Sequence, residues 1–187
     1  MENKRVYIVL TRTNTILSNL IGFIKNDEYT HASISLSKDL SVMYSFGRKY
    51  TYNPFIGRFV KENLNEGIFE LQSKLKGLVI ELTVTSEQYE SIKNLINEFI
   101  TNSNYYKYNY FGLINSLLNK ESFSSERFLC SEFVYYVLNE CGVVNFNKPR
   151  NLVRPQDLMN LNGRILYKGD LKNSETENIQ IYKYVEI

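Results

Sequence analysis

The chain contains one histidine, His31, and two cysteines, Cys130 and Cys141, so any imidazole chemistry must use His31. A cysteine at a helix N-terminus faces unsatisfied backbone amides and the positive end of the helix dipole, which favour thiolate over thiol. Cys130 holds such a place. Phe133, Val134, Val137, Leu138 and Cys141 recur at helical spacing, Gly142 ends the stripe, and Cys130 precedes its first members by three and four residues. A neutral histidine within reach can take the thiol proton, sulfur can attack a carbonyl to give an acyl-enzyme, and the imidazolium can protonate the leaving group. The backbone amide of Cys130 is then a natural oxyanion donor. Taken singly, each residue has a plainer role. A strand histidine is more often a surface or satisfied core side chain, and an unpaired cysteine on an apolar helix face is usually a small buried hydrophobe. The two cysteines read as separate thiols, because eleven residues along one helix separate them by about 16 Å, too far for a disulfide.

The elements that must position these groups are legible in part. Val6 to Leu10 has the content of a buried strand, Thr11 to Thr15 offers caps, and Ile16, Leu17, Leu20, Ile21 and Ile24 make a helical stripe. From His31 to Leu36 the period is two, with His31, Ser33 and Ser35 opposite Ala32, Ile34 and Leu36. A turn at Ser37 to Asp39 leads to a second alternating run, Val42 to Phe46, so the two read as a hairpin. Gly47 to Glu66 has no clear period and reads as a long ordered excursion, a candidate specificity wall. Gly67 to Gln72 and Gly77 to Val84 read as strands. Thr85 with Gln88 is a capping box for an amphipathic helix to about Thr101. Tyr105 to Tyr110 is dense in tyrosine, Phe111 to Leu118 reads as a short helix, and another short helix is expected around Pro155 to Leu158. Arg164 to Lys168 and Ile179 to Ile187 read as closing strands.

Composition narrows the function. The 187 residues suit one domain, read here as spanning 1–187, and 43% hydrophobic content excludes a disordered or fibrous chain. Lysine and arginine exceed aspartate and glutamate by 22 to 20, a net +2 too small to gather phosphates, so no nucleic-acid partner is expected. No apolar run is long enough for a membrane span and the first ten residues do not resemble a secretory signal, so a cytoplasmic location is expected. The single alanine beside abundant asparagine, isoleucine, lysine and tyrosine is the coding bias of an AT-rich, bacterial type of genome. One histidine and two distant cysteines cannot assemble a usual zinc site, and no glycine-rich phosphate loop follows a strand, so neither metal nor cofactor is implied.

Two segments carry a resemblance. Thr30-His31-Ala32-Ser33-Ile34-Ser35-Leu36 on a strand, followed much later by Phe128-Leu129-Cys130-Ser131-Glu132-Phe133-Val134 on a helix, resembles the circularly permuted papain-like cysteine hydrolases of the NlpC-type superfamily. That group includes YiiX/YebB-like amidases and the lecithin retinol acyltransferase branch, and permutation explains why histidine precedes cysteine. The resemblance runs from the Val6 strand through Ser45-Phe46-Gly47-Arg48 to Arg154-Pro155-Gln156-Asp157-Leu158. It implies an α+β fold in which an antiparallel sheet or partly open barrel packs against helices. It also implies Cys130 as nucleophile and His31 as base and then acid. Tyr108, in a Tyr-x-x-x-Gly element ending at Gly112, would assist at the oxyanion site. The family orients its histidine with a polar group from the next strand; the matching face here offers Met43 and Ser45, and Ser45 is taken as that group.

The expected function is cleavage of amide bonds in peptides or peptidoglycan fragments, with a peptide, amide or acyl small molecule as partner. Two other readings stay open: a thioesterase or acyltransferase on lipid-like substrates, and a catalytically silent binding module, motivated by the weak third residue. Tyr105, Tyr106, Tyr108 and Tyr110 are core filler or cleft wall, and packing is favoured except at Tyr108.

Overall fold

The Val6–Leu10 run, apolar on both alternating faces, lies within β1 (Lys4–Arg12), an inner strand whose residues 6–11 are all buried. The structure is a computed structural model that describes residues 3–13, 27–50 and 53–172. Among these residues the chain is α+β. One open, mixed sheet of eight strands runs in the order β7-β6-β4-β3-β2-β1-β5-β8, antiparallel except between β6 and β7. The strands are β2 (His31–Ser35), β3 (Met43–Tyr50), β4 (Asn53–Glu62), β5 (Lys76–Val84), β6 (Lys107–Tyr108), β7 (Arg127–Phe128) and β8 (Arg164–Asp170). The α-helices are α1 (Gly67–Glu70), α2 (Ser86–Thr101), α3 (Tyr110–Leu117) and α4 (Cys130–Glu140), and short 3-10 turns follow at Arg150–Leu152 and Asp157–Asn160.

Period-two alternation divides the core between the faces of the sheet. Ile8, Leu10, Ala32, Ile34, Phe46, Phe59 and Ile80 meet Ile92, Ile96 and Phe99 of α2 and Phe133, Val134 and Val137 of α4. The opposite face packs Tyr7, Val9, Met43 and Val79 with Phe69, Leu75 and Leu166. Phe46, Phe59, Phe99, Phe128 and Phe133 form one aromatic knot with ring centroids 5.0 to 6.0 Å apart. Edge and tilted contacts of this kind add about 0.5–1.5 kcal/mol per pair beyond area burial, so the knot clamps the cysteine helix on the β3–β4 ladder.

Two expectations need correction. The Gly47 to Glu66 stretch is mostly β-structure, because β3 continues to Tyr50 and pairs with β4 from Met43↔Glu62 onward. Gly67 to Gln72 holds a single helical turn, α1, which buries only Phe69; a strand would have buried alternate residues. The capping box at Thr85 is present, with Gln88 N–H donating to Thr85 Oγ1 and Thr85 N–H to Gln88 Oε1. The expected helix over Ile16 to Ile24 and the closing strand Ile179 to Ile187 lie outside the described residues. No helix among the described residues is long and apolar enough to cross a membrane.

Candidate active site

His31 opens β2 at one end of the sheet, where it pairs with Thr11 of β1. Cys130 is the first residue of α4, after an extended Leu129, so its amide has no intrahelical acceptor. Ser131 Oγ donates to the Val153 carbonyl at 2.7 Å and fixes the start of that helix. The segment after the helix reaches back toward the histidine strand. Arg154 pairs with Asp27 at 2.9 Å, Gln156 Oε1 accepts from Glu28 N–H at 2.8 Å, and Asp157 Oδ2 accepts from Arg154 N–H at 2.8 Å. Residues 99 positions apart are thus brought to one cavity of about 530 Å³, lined by His31 and Cys130 together with Glu62, Tyr108 and Tyr110.

The imidazole is held by a carboxylate. His31 Nε2 lies 3.0 Å from both Oε1 and Oε2 of Glu62, and Ser33 Oγ donates to Glu62 Oε2 at 2.6 Å. With Nε2–H donating to Glu62, Nδ1 is the nitrogen left to exchange a proton with Cys130, which lines the same cavity. Both members of the pair are mostly buried, their side chains 17% and 14% exposed, and Phe69 packs edge-on to the ring. Burial opposes the charged imidazole. The Glu62 charge, the hydrogen bonds to Cys130 and Glu62, and the sulfur's charge outweigh it and hold His31 well above its usual 6.5.

Glu62 is the partner of His31 that the sequence does not signal, and Ser45 does not contact the ring. Ser45 is fully buried and donates to the Ala32 carbonyl at 2.6 Å, satisfying its hydroxyl on the neighbouring backbone. Glu62 comes from β4, one strand beyond β3, and it reaches the ring past Gly47. A Cβ at Gly47 would stand 3.2 Å from Glu62 Oε1 and 3.8 Å from His31 Cε1.

Tyr108 is brought beside Cys130 by the parallel pair β6–β7, which aligns Tyr108 with Phe128 two residues before the cysteine. Its ring lies on Gly57, where a Cβ would fall 2.6 Å from Tyr108 Cβ. Burial and the Cys130 charge push the Tyr108 hydroxyl far up, so it stays a neutral donor at working pH. Of the other tyrosines in the cluster, Tyr110 lines the cavity, Tyr106 is buried with its hydroxyl on Glu98, and Tyr105 is exposed on Glu126.

A second carboxylate supports the site from behind. Glu132, fully buried, accepts from Leu129 N–H at 3.0 Å and from Arg150 Nε at 2.9 Å, and Asn109 Nδ2 lies 3.4 Å away. Asn109 also caps α3 by accepting from Gly112 N–H at 2.8 Å. The network ties the start of the cysteine helix to the turn that follows Tyr108. Burial raises the Glu132 carboxyl against the pull of Leu129 N–H and Arg150. Comparison of the chain with models of protein families, with curated proteins and with solved structures finds no match.

Proposed function

We propose that the chain is a cysteine hydrolase of amide bonds, of peptide or peptidoglycan-fragment type, built as a permuted papain-like domain. The observation that carries this reading is the shared cavity of His31 and Cys130, with Glu62 held on Nε2 of the ring. In the proposed reaction the Cys130 thiolate attacks the carbonyl carbon and forms the C–S bond while the carbonyl π electrons move to oxygen. The Cys130 amide and the Tyr108 hydroxyl stabilise that oxyanion. His31, held as imidazolium by Glu62, gives its proton to the departing amine as the C–N bond breaks. The neutral ring then takes a proton from water, whose oxygen displaces sulfur and releases the acid. The Glu62 carboxylate orients and stabilises the imidazolium, as a buried aspartate does in serine proteases.

The silent-module reading rests on a missing charged partner for His31, and Glu62 is such a partner. One observation favours the lipid-like reading: α3, whose first residue Tyr110 lines the cavity, and its C-cap Leu118 present Phe111, Ile114 and Leu118 to solvent at 78%, 55% and 60% exposure. Release of amine from a library of acyl-peptide amides, beside release of acid from long-chain acyl esters, separates the two. Amide turnover that Cys130→Ala lowers by about a thousandfold or more supports the proposal. Turnover unchanged in that variant contradicts it.

A further inference from the structure

Of the chain's eight arginines, six are engaged. Arg5 and Arg164 pair with Glu81, Arg150 with Glu132 and Arg154 with Asp27, while Arg12 and Arg127 donate to the carbonyls of Asp27 and Tyr108. The other two, Arg48 on β3 and Arg58 on β4, both line the Cys130 cavity. Neither has a carboxylate or hydrogen-bond partner among the described residues, and the Nε of Arg58 is buried without an acceptor. Register explains part of this. Arg48 pairs with Gly57 and Arg58 with Gly47, so neither guanidinium has a cross-strand side chain to meet.

Strand alternation brings the two to the cavity from opposite faces of the β3–β4 hairpin. Arg48 lies on the side of Tyr108, whose ring covers Gly57, and Arg58 on the side of Glu62. The acids in the same wall do not neutralise them. Glu62 is occupied by His31 and Ser33, Glu66 is exposed, and Lys61 adds a third cation. A buried Nε–H with no acceptor is an incomplete arrangement, and the planar fork of a guanidinium fits a carboxylate.

We infer that the cavity selects substrates bearing a free carboxylate, read by Arg48 and Arg58. This rests on the hydrolase reading and names its substrate class. A carboxylate on the acyl or amine portion, as at a peptide C-terminus or an acidic side chain, supplies the missing acceptor. The wall charge draws it in while the scissile carbonyl meets the sulfur.

The test compares two maleimides of similar size, neutral N-ethylmaleimide and anionic 3-maleimidopropionate, by peptide-resolved mass spectrometry, with Cys141 as internal reference. The anionic-to-neutral rate ratio at Cys130 should exceed that at Cys141 by about fivefold, the factor expected of one close charge contact near a protein surface. Arg48→Gln/Arg58→Gln should bring the two ratios together, Arg48→Lys/Arg58→Lys should restore part of the gap, and the single variants report which side holds the carboxylate. Glutarate should slow the anionic reagent at Cys130 more than inorganic phosphate at equal ionic strength; the reverse order assigns the site to phosphate and overturns the carboxylate. Equal ratios at both cysteines, with N-ethylmaleimide still preferring Cys130, overturn the inference and leave the hydrolase reading intact. Loss of that preference overturns both.

Discussion

Helix α4 carries a cysteine at each end, and the surroundings of the two are opposite. Cys130 begins the helix, where backbone amides converge, and shares a cavity with an imidazole that Glu62 keeps charged. Cys141 closes the helix at its carbonyl end, where burial and the Glu140 charge push its thiol above 9.0. In the proposed hydrolase the same side chain on the same helix thus serves chemistry at one end and packing at the other. The two carboxylates of the site repeat the contrast: Glu62 pairs with a ring that can lose its proton, whereas Glu132 pairs with Arg150, whose charge is permanent.

The largest effect is expected at Glu132. Glu132→Ala leaves the Arg150 guanidinium without its carboxylate and Leu129 N–H without an acceptor. A loss of about 3–5 kcal/mol in urea unfolding is expected, with labelling at Cys130 slowed toward that of Cys141.

Next in size is Glu62→Gln, which removes the charge but keeps an acceptor. Amide turnover should fall by about a hundredfold, and because His31 is the only histidine its ring gives one imidazole titration by NMR. Wild-type His31 should titrate well above 6.5 and the variant lower, since the carboxylate charge is gone. The sign carries to stability. A raised histidine stabilises fully below its unfolded value near 6.5, and that stabilisation is lost as pH rises through the folded value. The wild type should therefore lose stability relative to Glu62→Gln as pH increases across that window, read from urea midpoints.

The smallest effect is expected at Gly57→Ala, whose Cβ would overlap Tyr108. Displacing that ring should cost about 1–3 kcal/mol and reduce turnover more than substrate binding, because it moves an oxyanion donor and leaves the thiol in place.

Much of this arrangement is written locally. The double-faced apolar run at Val6, the period-two segment after His31, the capping box at Thr85 and the stripe behind Cys130 each signal an element within about a dozen residues. The partner of His31 is not local. Glu62 reaches the ring from two strands away, and the β3–β4 hairpin that carries it is disguised because Gly47 in β3 and Pro54 and Gly57 in β4 interrupt the alternation. Those glycines are there for space, one for the carboxylate and one for Tyr108, so the residues that build the site are the ones that hide its strand. Ser45 misleads for a related reason. Its place on the strand next to His31 is right for an orienting group, but a buried hydroxyl beside a backbone carbonyl is satisfied there first.

The central claim is that Cys130 and His31 act as a pair. Its most direct test is iodoacetamide labelling of both cysteines from about pH 5 to 8, in the wild type and in His31→Ala. The account predicts that Cys130 is alkylated in the acid half of that range while Cys141 is not, and that His31→Ala removes the difference. Equal slow labelling of the two thiols in the wild type, or a Cys130 profile indifferent to His31, would contradict it.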